Sequence, residues 1–248
     1  MAGHRRVSVS TSREPAKIAG MFDAIARRYD TLNHLLSAGL DRSWRRQAIR
    51  ALNLQPGDRV LDMCTGTGDL AIAAMMSASA APRDVVGIDF SGEMLRLGLA
   101  KVRAAGLAAR VHLVRGDATR VPLPDESVEA AAVAFGIRNV VDRDRGCREF
   151  ARVLRPGGRL AVLEFGTPRM PGLKQLYQWY FRAVLPRIGG LISGNSDAYA
   201  YLPASVGEFP PPDEFATALR RAGFSQVEWK SLTFGVVYLY VATKSRQD

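Results

Sequence analysis

Val60-Leu-Asp-Met-Cys-Thr-Gly-Thr-Gly-Asp-Leu70 is the stretch on which the fold turns. A short apolar run ends on Asp62, and Gly66 and Gly68 open the helical pattern behind it. Glycines at such a point let the backbone turn tightly and come close to a ligand. Gly-x-Gly alone is a weak signal, because strand-to-helix turns use glycine for geometry alone. Its surroundings strengthen it. From Arg59 onward, strands over Val60–Met63, Val85–Asp89, Val111–Arg115, Val128–Phe135 and Arg159–Glu164 alternate with helices over Leu70–Ala80, Gly92–Ala105 and Arg145–Leu154. Such alternation implies βαβ units and an open parallel sheet. Val128–Phe135 is continuous in apolar residues, as a strand covered on both faces should be.

The third of these helices is stopped by Arg155-Pro-Gly-Gly158. Near the C-terminus a helix over Pro212–Ala222 precedes two closing strands, Phe224–Leu232 and Val236–Thr243, which read as a hairpin. The expected fold is therefore α/β, a doubly wound, Rossmann-like, seven-stranded sheet, mostly parallel with a C-terminal antiparallel hairpin, plus N-terminal helices. Upstream, Glu14 to Leu54 is helical, with Ile18, Met21, Phe22, Ile25, Ala26 and Tyr29 at three- and four-residue spacing. Asn33 is expected to begin a turn, and Trp44, Ala48, Ile49 and Leu52 continue in a second helix. The chain thus divides into a disordered N-terminus (1–14), a helical segment (15–54) and an α/β domain (55–248) with an insertion at 168–212.

Three carboxylates fall on the carboxyl edge of this sheet. Asp62 ends the first strand. Asp89 ends the second, where it can accept both ribose hydroxyls of a nucleoside. Asp117, in Gly116-Asp117-Ala118, ends the third and suits the exocyclic amine of adenine. A dinucleotide site would share the first two features, and Ala71 stands where its third glycine is often replaced by a small residue. The sheet, however, closes in a hairpin without a second mononucleotide half. The plainer reading has all three acids capping helices.

Bulk properties narrow the field. The 248 residues carry 34 Lys and Arg against 24 Asp and Glu, a net charge of +10. That balance favours anionic partners, nucleic acid or a charged membrane surface, unless it is only an Arg-rich solvated face. Arginines are not interleaved with aromatics as on a single-strand binding surface, which argues against nucleic acid. Cys64 and Cys147 lie in different elements, and His4, His34 and His112 are scattered, so neither a disulfide framework nor a metal site is expected. No apolar run reaches the roughly 18 residues of a membrane span, and the first residues lack a secretory signal, pointing to a cytoplasmic protein.

With these residues assembled, the chain resembles the class I methyltransferases: Leu-Asp-x-x-x-Gly-Thr-Gly, Asp89 after strand two and Gly-Asp-Ala after strand three. Two stretches, Tyr29-Asp-Thr-Leu-Asn-His-Leu-Leu-Ser-Ala-Gly-Leu-Asp-Arg-Ser-Trp44 and Arg152-Val-Leu-Arg-Pro-Gly-Gly-Arg-Leu-Ala-Val-Leu-Glu-Phe165, are similar to the two signatures of the quinone C-methyltransferases. These comprise the demethylmenaquinone and 2-polyprenyl-benzoquinol methyltransferases. Phe135-Gly-Ile-Arg-Asn-Val140 and Asn195-Ser-Asp-x-Tyr-x-Tyr-Leu202 are further likenesses, and together they span residues 15 to 243. There are departures. Leu32 stands where the family usually has Met, Asp41 where it often has His, and Ala134 where a Ser commonly touches the cofactor. Met63-Cys64 replaces smaller residues, with Cys64 expected as a filler and not a nucleophile.

The resemblance implies S-adenosylmethionine as cofactor, bound by Asp62, Gly66, Thr67, Gly68, Asp89, Asp117, Ala118 and the backbone of Ala134. It implies methylation of a ring carbon of a reduced demethylated polyprenyl quinone, with Arg138 stabilising a developing phenolate, Asn139 orienting the ring and Tyr29 assisting from the N-terminal helices. The quinol's long tail calls for peripheral membrane contact. Leu173, Leu176, Tyr177, Tyr180, Phe181 and Val184 form a stripe, flanked by Lys174, Arg182 and Arg187, that suits an interfacial helix or a core helix on the sheet. A homodimer is one assembly the sequence permits. The rival readings are a methyltransferase acting on another phenolic or lipid acceptor, and an RNA-binding methyltransferase-like protein.

Overall fold

A computed structural model describes residues 15–76, 81–168 and 196–246, together with residues 170, 172, 175, 177 and 179. The expected disordered N-terminus (1–14) lies outside the described residues, as does most of the Leu173–Leu185 stripe. Two N-terminal helices, α1 (Pro15–Leu36) and α2 (Leu40–Leu52), precede β1 (Arg59–Met63), α3 (Asp69–Met75), β2 (Asp84–Asp89), α4 (Gly92–Ala104), β3 (Val111–Arg115) and β4 (Val128–Ala134). A 3-10 turn (Ile137–Asn139) leads to α5 (Arg143–Val153) and β5 (Leu154–Phe165). Then come α6 (Ser196–Gly207), α7 (Pro212–Arg221), β6 (Phe224–Leu232) and β7 (Val237–Lys244).

The strands form one seven-stranded sheet in the order β3-β2-β1-β4-β5-β7-β6. The first five run parallel; β7 joins β5 and β6 antiparallel. All six residues of β2 are buried, and β4 is buried along nearly its whole length, because helices cover both faces. One face packs on α5 and α7 through Cys147, Phe150, Phe215 and Leu219. The other packs on α2 and α3 through Trp44, Ala48, Ile49, Leu70 and Ala74, with Val102 of α4 joining them. Successive strands step one way to β3 and then the other way from β4, so a crevice opens at the carboxyl ends of β1 and β4.

Most element ends fall within two residues of the sequence reading, and the larger differences lie at three places. Asn33 does not begin a turn: α1 continues to Leu36, since Leu32 and Ile25 are buried against Val206 and hold that stretch helical. The turn comes at Ser37–Gly39, where Ala38 and Gly39 have φ of 49° and 76°. The helix after the glycine turn ends at Met75, not Ala80; Met76 caps it, and residues 77–80 lie outside the described ones. The helix expected to end at Leu154 stops at Val153, and β5 begins there. Leu154 pairs with Val128 and Arg159 with Ala130, so Arg155-Pro-Gly-Gly158 is a bulge within the strand and not a break before it.

Candidate functional site

The loop after β1 is held from beneath. Asp62 is buried, and its carboxylate accepts the Thr65 hydroxyl at 2.6 Å and the Ala71 amide, which folds Cys64–Gly68 over the strand end. Burial pushes this carboxyl up to about 7, although Thr65 and the Ala71 amide oppose the shift. Gly66 and Gly68 take φ of 56° and 81°, the left-handed region that glycine enters without steric cost. Asp89 accepts the Gly66 amide at 2.8 Å and the Ser91 amide at 2.9 Å, tying the ends of β1 and β2 together. Its carboxyl is also raised by burial, against the pull of those amides.

Three chambers run in a row along the crevice. The first, about 300 Å³, is lined by Gly116, Asp117, Ala118, Asn139, Val140 and Asp142. A constriction of about 30 Å³ follows at Gly66, Asp89, Met94 and Ala134. These two share Cys64, Phe90, Gly136 and Asn139 and form one groove. Gly136 is essential to its width: a Cβ there would stand 2.3 Å from that of Cys64. The third chamber, about 320 Å³, is lined mainly by apolar groups of Ile25, Leu40, Trp44, Phe165, Leu202 and Val236. Phe22, Tyr29 and Phe135 line both this chamber and the constriction, so they form the wall between groove and chamber.

The groove fits the expected cofactor. Asp117 and Ala118 line the first chamber, and Asp89 and Ala134 the constriction. Asp62, Thr67 and Gly68 do not line it. Thr67 donates its hydroxyl to Asp30 at 2.6 Å, and Lys101 binds the same carboxylate at 2.7 Å, so Thr67 joins the loop to α1. Asp23 of α1 likewise accepts from Ser91 at the start of α4. One helix is thereby fastened across the groove at two points. Cys64 lines the groove with its thiol pushed well up by burial and by Asp89, consistent with a filler and not a nucleophile.

Arg138 lines the third chamber and is buried, 5% exposed. Its Nη1 donates to Glu164 Oε1 at 2.9 Å and to the Phe135 carbonyl, its Nε to Ser205 at 3.3 Å, and its amide to Glu164 Oε2 at 3.1 Å. Its guanidinium carbon also lies 5.6 Å from the centre of the Phe165 ring. Tyr29 stands on the shared wall, and burial raises its phenol above the usual range despite a bond to Asn33. Asn139 lines the groove and not the third chamber, and reaches the latter through Tyr201, whose hydroxyl is 3.1 Å from Oδ1.

Sequence reasoning missed much of the third chamber. Glu164, fully buried at the end of an apolar strand, is the counter-ion of Arg138, and a carboxylate ending Leu160–Leu163 was the available signal. Phe135 and Phe165 stack at 4.5 Å, with Trp44 edge-on to both. Asp41, where a catalytic use was in doubt, is buried at the chamber wall. Burial would raise its carboxyl, but Arg45, His34 and Ser37 outweigh that and hold it below the usual range. His34, Asp41 and Asp69 come close enough to suggest a cation site. Arg45 bridges the two carboxylates and Lys101 binds Asp69, so the positive charge is already supplied by the protein.

The sheet and groove are those of the S-adenosylmethionine-dependent methyltransferases. The solved structures agree on the fold: the cyclase SpnF matches with a TM-score of 0.68 at 19% identity over 93% of this chain and 96% of its own. An S-adenosylmethionine-dependent methyltransferase from Thermotoga maritima matches at 0.64 and 20% identity, covering 92% of this chain and all (100%) of that one. The ubiE/COQ5 methyltransferase family matches residues 10–244, and the chain belongs to that family. A ubiquinone/menaquinone biosynthesis C-methyltransferase of Geotalea daltonii is 49% identical over 92% of this chain and 96% of its own length. A demethylmenaquinone methyltransferase of Bacteroides fragilis is 42% identical over 94% of each. The protein is an S-adenosylmethionine-dependent methyltransferase, and the Rossmann-like fold expected from the sequence is the one found.

Proposed function

We propose that the chain transfers the sulfonium methyl of S-adenosylmethionine to a ring carbon of a reduced, demethylated polyprenyl quinone, with demethylmenaquinol as the acceptor. The observation that carries this is the apolar chamber of about 320 Å³, which shares Phe22, Tyr29 and Phe135 with the groove and has the buried Arg138 in its lining. The stacked Phe135 and Phe165, edged by Trp44, offer flat apolar surface to a fused ring. The relatives' names support a quinone acceptor, and the naphthoquinol is the form common to both.

The cofactor supplies an already activated methyl. The chain's task is to align the ring and make its carbon nucleophilic, and alignment alone is worth several kcal/mol, on the order of 7–11 at most. A guanidinium offers only donors, so Arg138 donates to the quinol oxygen and stabilises the phenolate, while the hydroxyl proton, and after methyl transfer the proton of the methylated carbon, pass to water. Glu164, Ser205 and the Phe135 carbonyl hold the guanidinium in place at the chamber lining. Tyr29, kept a neutral phenol by burial, serves as a donor on the shared wall and not as the base. Asn139, on the groove side, acts on the ring through Tyr201, which lines the chamber and donates its hydroxyl to Asn139 Oδ1.

Among the described residues no helix is long and apolar enough to cross a membrane. The tailed acceptor is reached by peripheral contact on the cytoplasmic face, helped by the charge of +10. The test is methyl transfer from labelled S-adenosylmethionine to short-chain demethylmenaquinol, the matching benzoquinol, a simple phenol and total RNA. Label in the naphthoquinol is expected. Label only in the phenol or RNA would overturn the assignment of the acceptor.

A further inference from the structure

The tip of the β6–β7 hairpin carries a feature that methyl transfer does not use. Thr233 and Phe234 both have left-handed backbone, with φ of 48° and 57°. Bulky residues avoid that region, and Asn or Gly would turn the chain more cheaply. Phe234 is nonetheless 72% exposed, more than any other large apolar side chain among the described residues. The tip is fixed: Trp44 Nε1 donates to Thr233 Oγ1 at 2.9 Å, and the Val236 amide donates to the Thr233 carbonyl at 3.1 Å. Thr233 and Val236 line the apolar chamber, so Phe234 stands at its mouth.

Other exposed apolar groups gather there. Leu40, 42% exposed, lines the same chamber, and Leu35, 55% exposed, precedes the Ser37–Gly39 turn. Beginning at Leu40, α2 buries Trp44, Ala48, Ile49 and Leu52 and turns Arg42, Arg46 and Arg50 outward at four-residue spacing. The acid in this helix, Asp41, is buried on Arg45. An apolar knuckle beside a basic stripe is the composition of a surface that sits on anionic lipid.

We propose that Phe234, Leu40 and Leu35, with the basic face of α2, dock the chain on an anionic lipid bilayer, so that the chamber opens against the hydrocarbon. A prenyl tail then passes from bilayer to chamber without crossing water, which is the one respect in which this rests on the quinol reading. A second copy of the chain would bring the same arginines against this stripe, and the charge therefore favours lipid.

The test is co-sedimentation of the full chain with phosphatidylcholine vesicles, with and without phosphatidylglycerol and without acceptor. Phe234→Asn keeps a residue that tolerates the left-handed conformation, so its melting temperature is expected to equal or exceed the wild type's. Its partitioning is expected to fall roughly tenfold, the scale of withdrawing one large apolar side chain from a membrane. Turnover of a soluble short-chain acceptor should not change. Arg42→Glu with Arg46→Glu should cost about tenfold or more on anionic vesicles and little on neutral ones. Wild-type binding by Phe234→Asn, loss with the charge variant alone, or a lipid-free wild-type dimer that Phe234→Asn dissolves would each overturn the proposal. Should the wild type methylate no quinol while Phe234 still governs vesicle binding, the docking surface stands and the acceptor assignment falls.

Discussion

The cofactor groove and the acceptor chamber meet at one wall, yet they are built in opposite ways. The groove is made largely from the ends of adjacent parallel strands and the loops behind them, and its carboxylate Asp89 is bound by the Ser91 amide beside it and the Gly66 amide of the neighbouring strand end. The chamber draws on α1, α2, the β4 and β5 ends, residue 177, α6 and the β6–β7 tip. Arg138, one of its two buried cations, is paired with Glu164, 26 residues along the chain. A locally closed site tolerates change elsewhere. A site assembled from distant segments depends on every one of them, so damage to the chamber should reach the fold more readily than damage to the groove.

The sharpest way to break that contrast is at Arg138. Arg138→Ala should cut kcat by roughly 10²-fold or more, the scale of losing one donor to a developing anion. It should also destabilise the protein by about 3–5 kcal/mol, because Glu164 is left buried and unpaired. Adding Glu164→Gln should recover much of the stability and none of the turnover. Raising the pH should partly restore the rate, since hydroxide can generate the phenolate. Unfolding curves and pH–rate profiles of the single and double variants check this. A single variant with normal turnover, or one losing cofactor affinity in step with rate, would reduce Arg138 to a structural role.

Asp89→Ala probes the groove, where the effect should be confined to the cofactor. Losing a buried acceptor costs about 1–3 kcal/mol, so affinity for S-adenosylmethionine should fall roughly 10- to 100-fold, with the fold retained. Calorimetry that finds unchanged affinity in a folded variant would remove Asp89 from the ribose position.

The smallest expected change is in a pH dependence. Asp62 titrates near 7 in the folded chain against an ordinary value of 3.8. Because the folded value is the higher one, its contribution favours folding most below about pH 4 and is lost as pH rises through about 7. Asp89 shifts in the same direction. Asp62→Asn should therefore flatten the decline in stability across that window while keeping an acceptor for Thr65. Denaturation midpoints from pH 4 to pH 8 that fall as steeply in the variant as in the wild type would show that burial of Asp62 is not the cause.

Much of the groove was legible because its signals are short in sequence. Glycines that must turn left-handed and acids that end strands are marks a linear reading can find, and Asp89, Asp117 and Ala118 line the groove where that reading put them. Asp62 and Thr67 carry the same marks, but their side chains hold the loop and do not face the groove. Residue type and spacing place a carboxylate at a strand end without saying which way it points.

By itself the sequence determined the alternation of strands and helices, hence the doubly wound sheet, since hydrophobic period and turn residues are local properties. It also placed Arg138 just past β4. Only the tertiary structure decided what surrounds that arginine. Glu164, Ser205 and Phe135 reach it from separate segments, and burial among them fixes a donor whose partners no local pattern showed. The course of α1 past Asn33 was settled in the same way, by Leu32 and Ile25 packing on Val206. In each case contacts between segments distant in the chain outweighed the preferences of the residues alone. Burial and pairing energies of several kcal/mol exceed local propensities of about 1 kcal/mol or less.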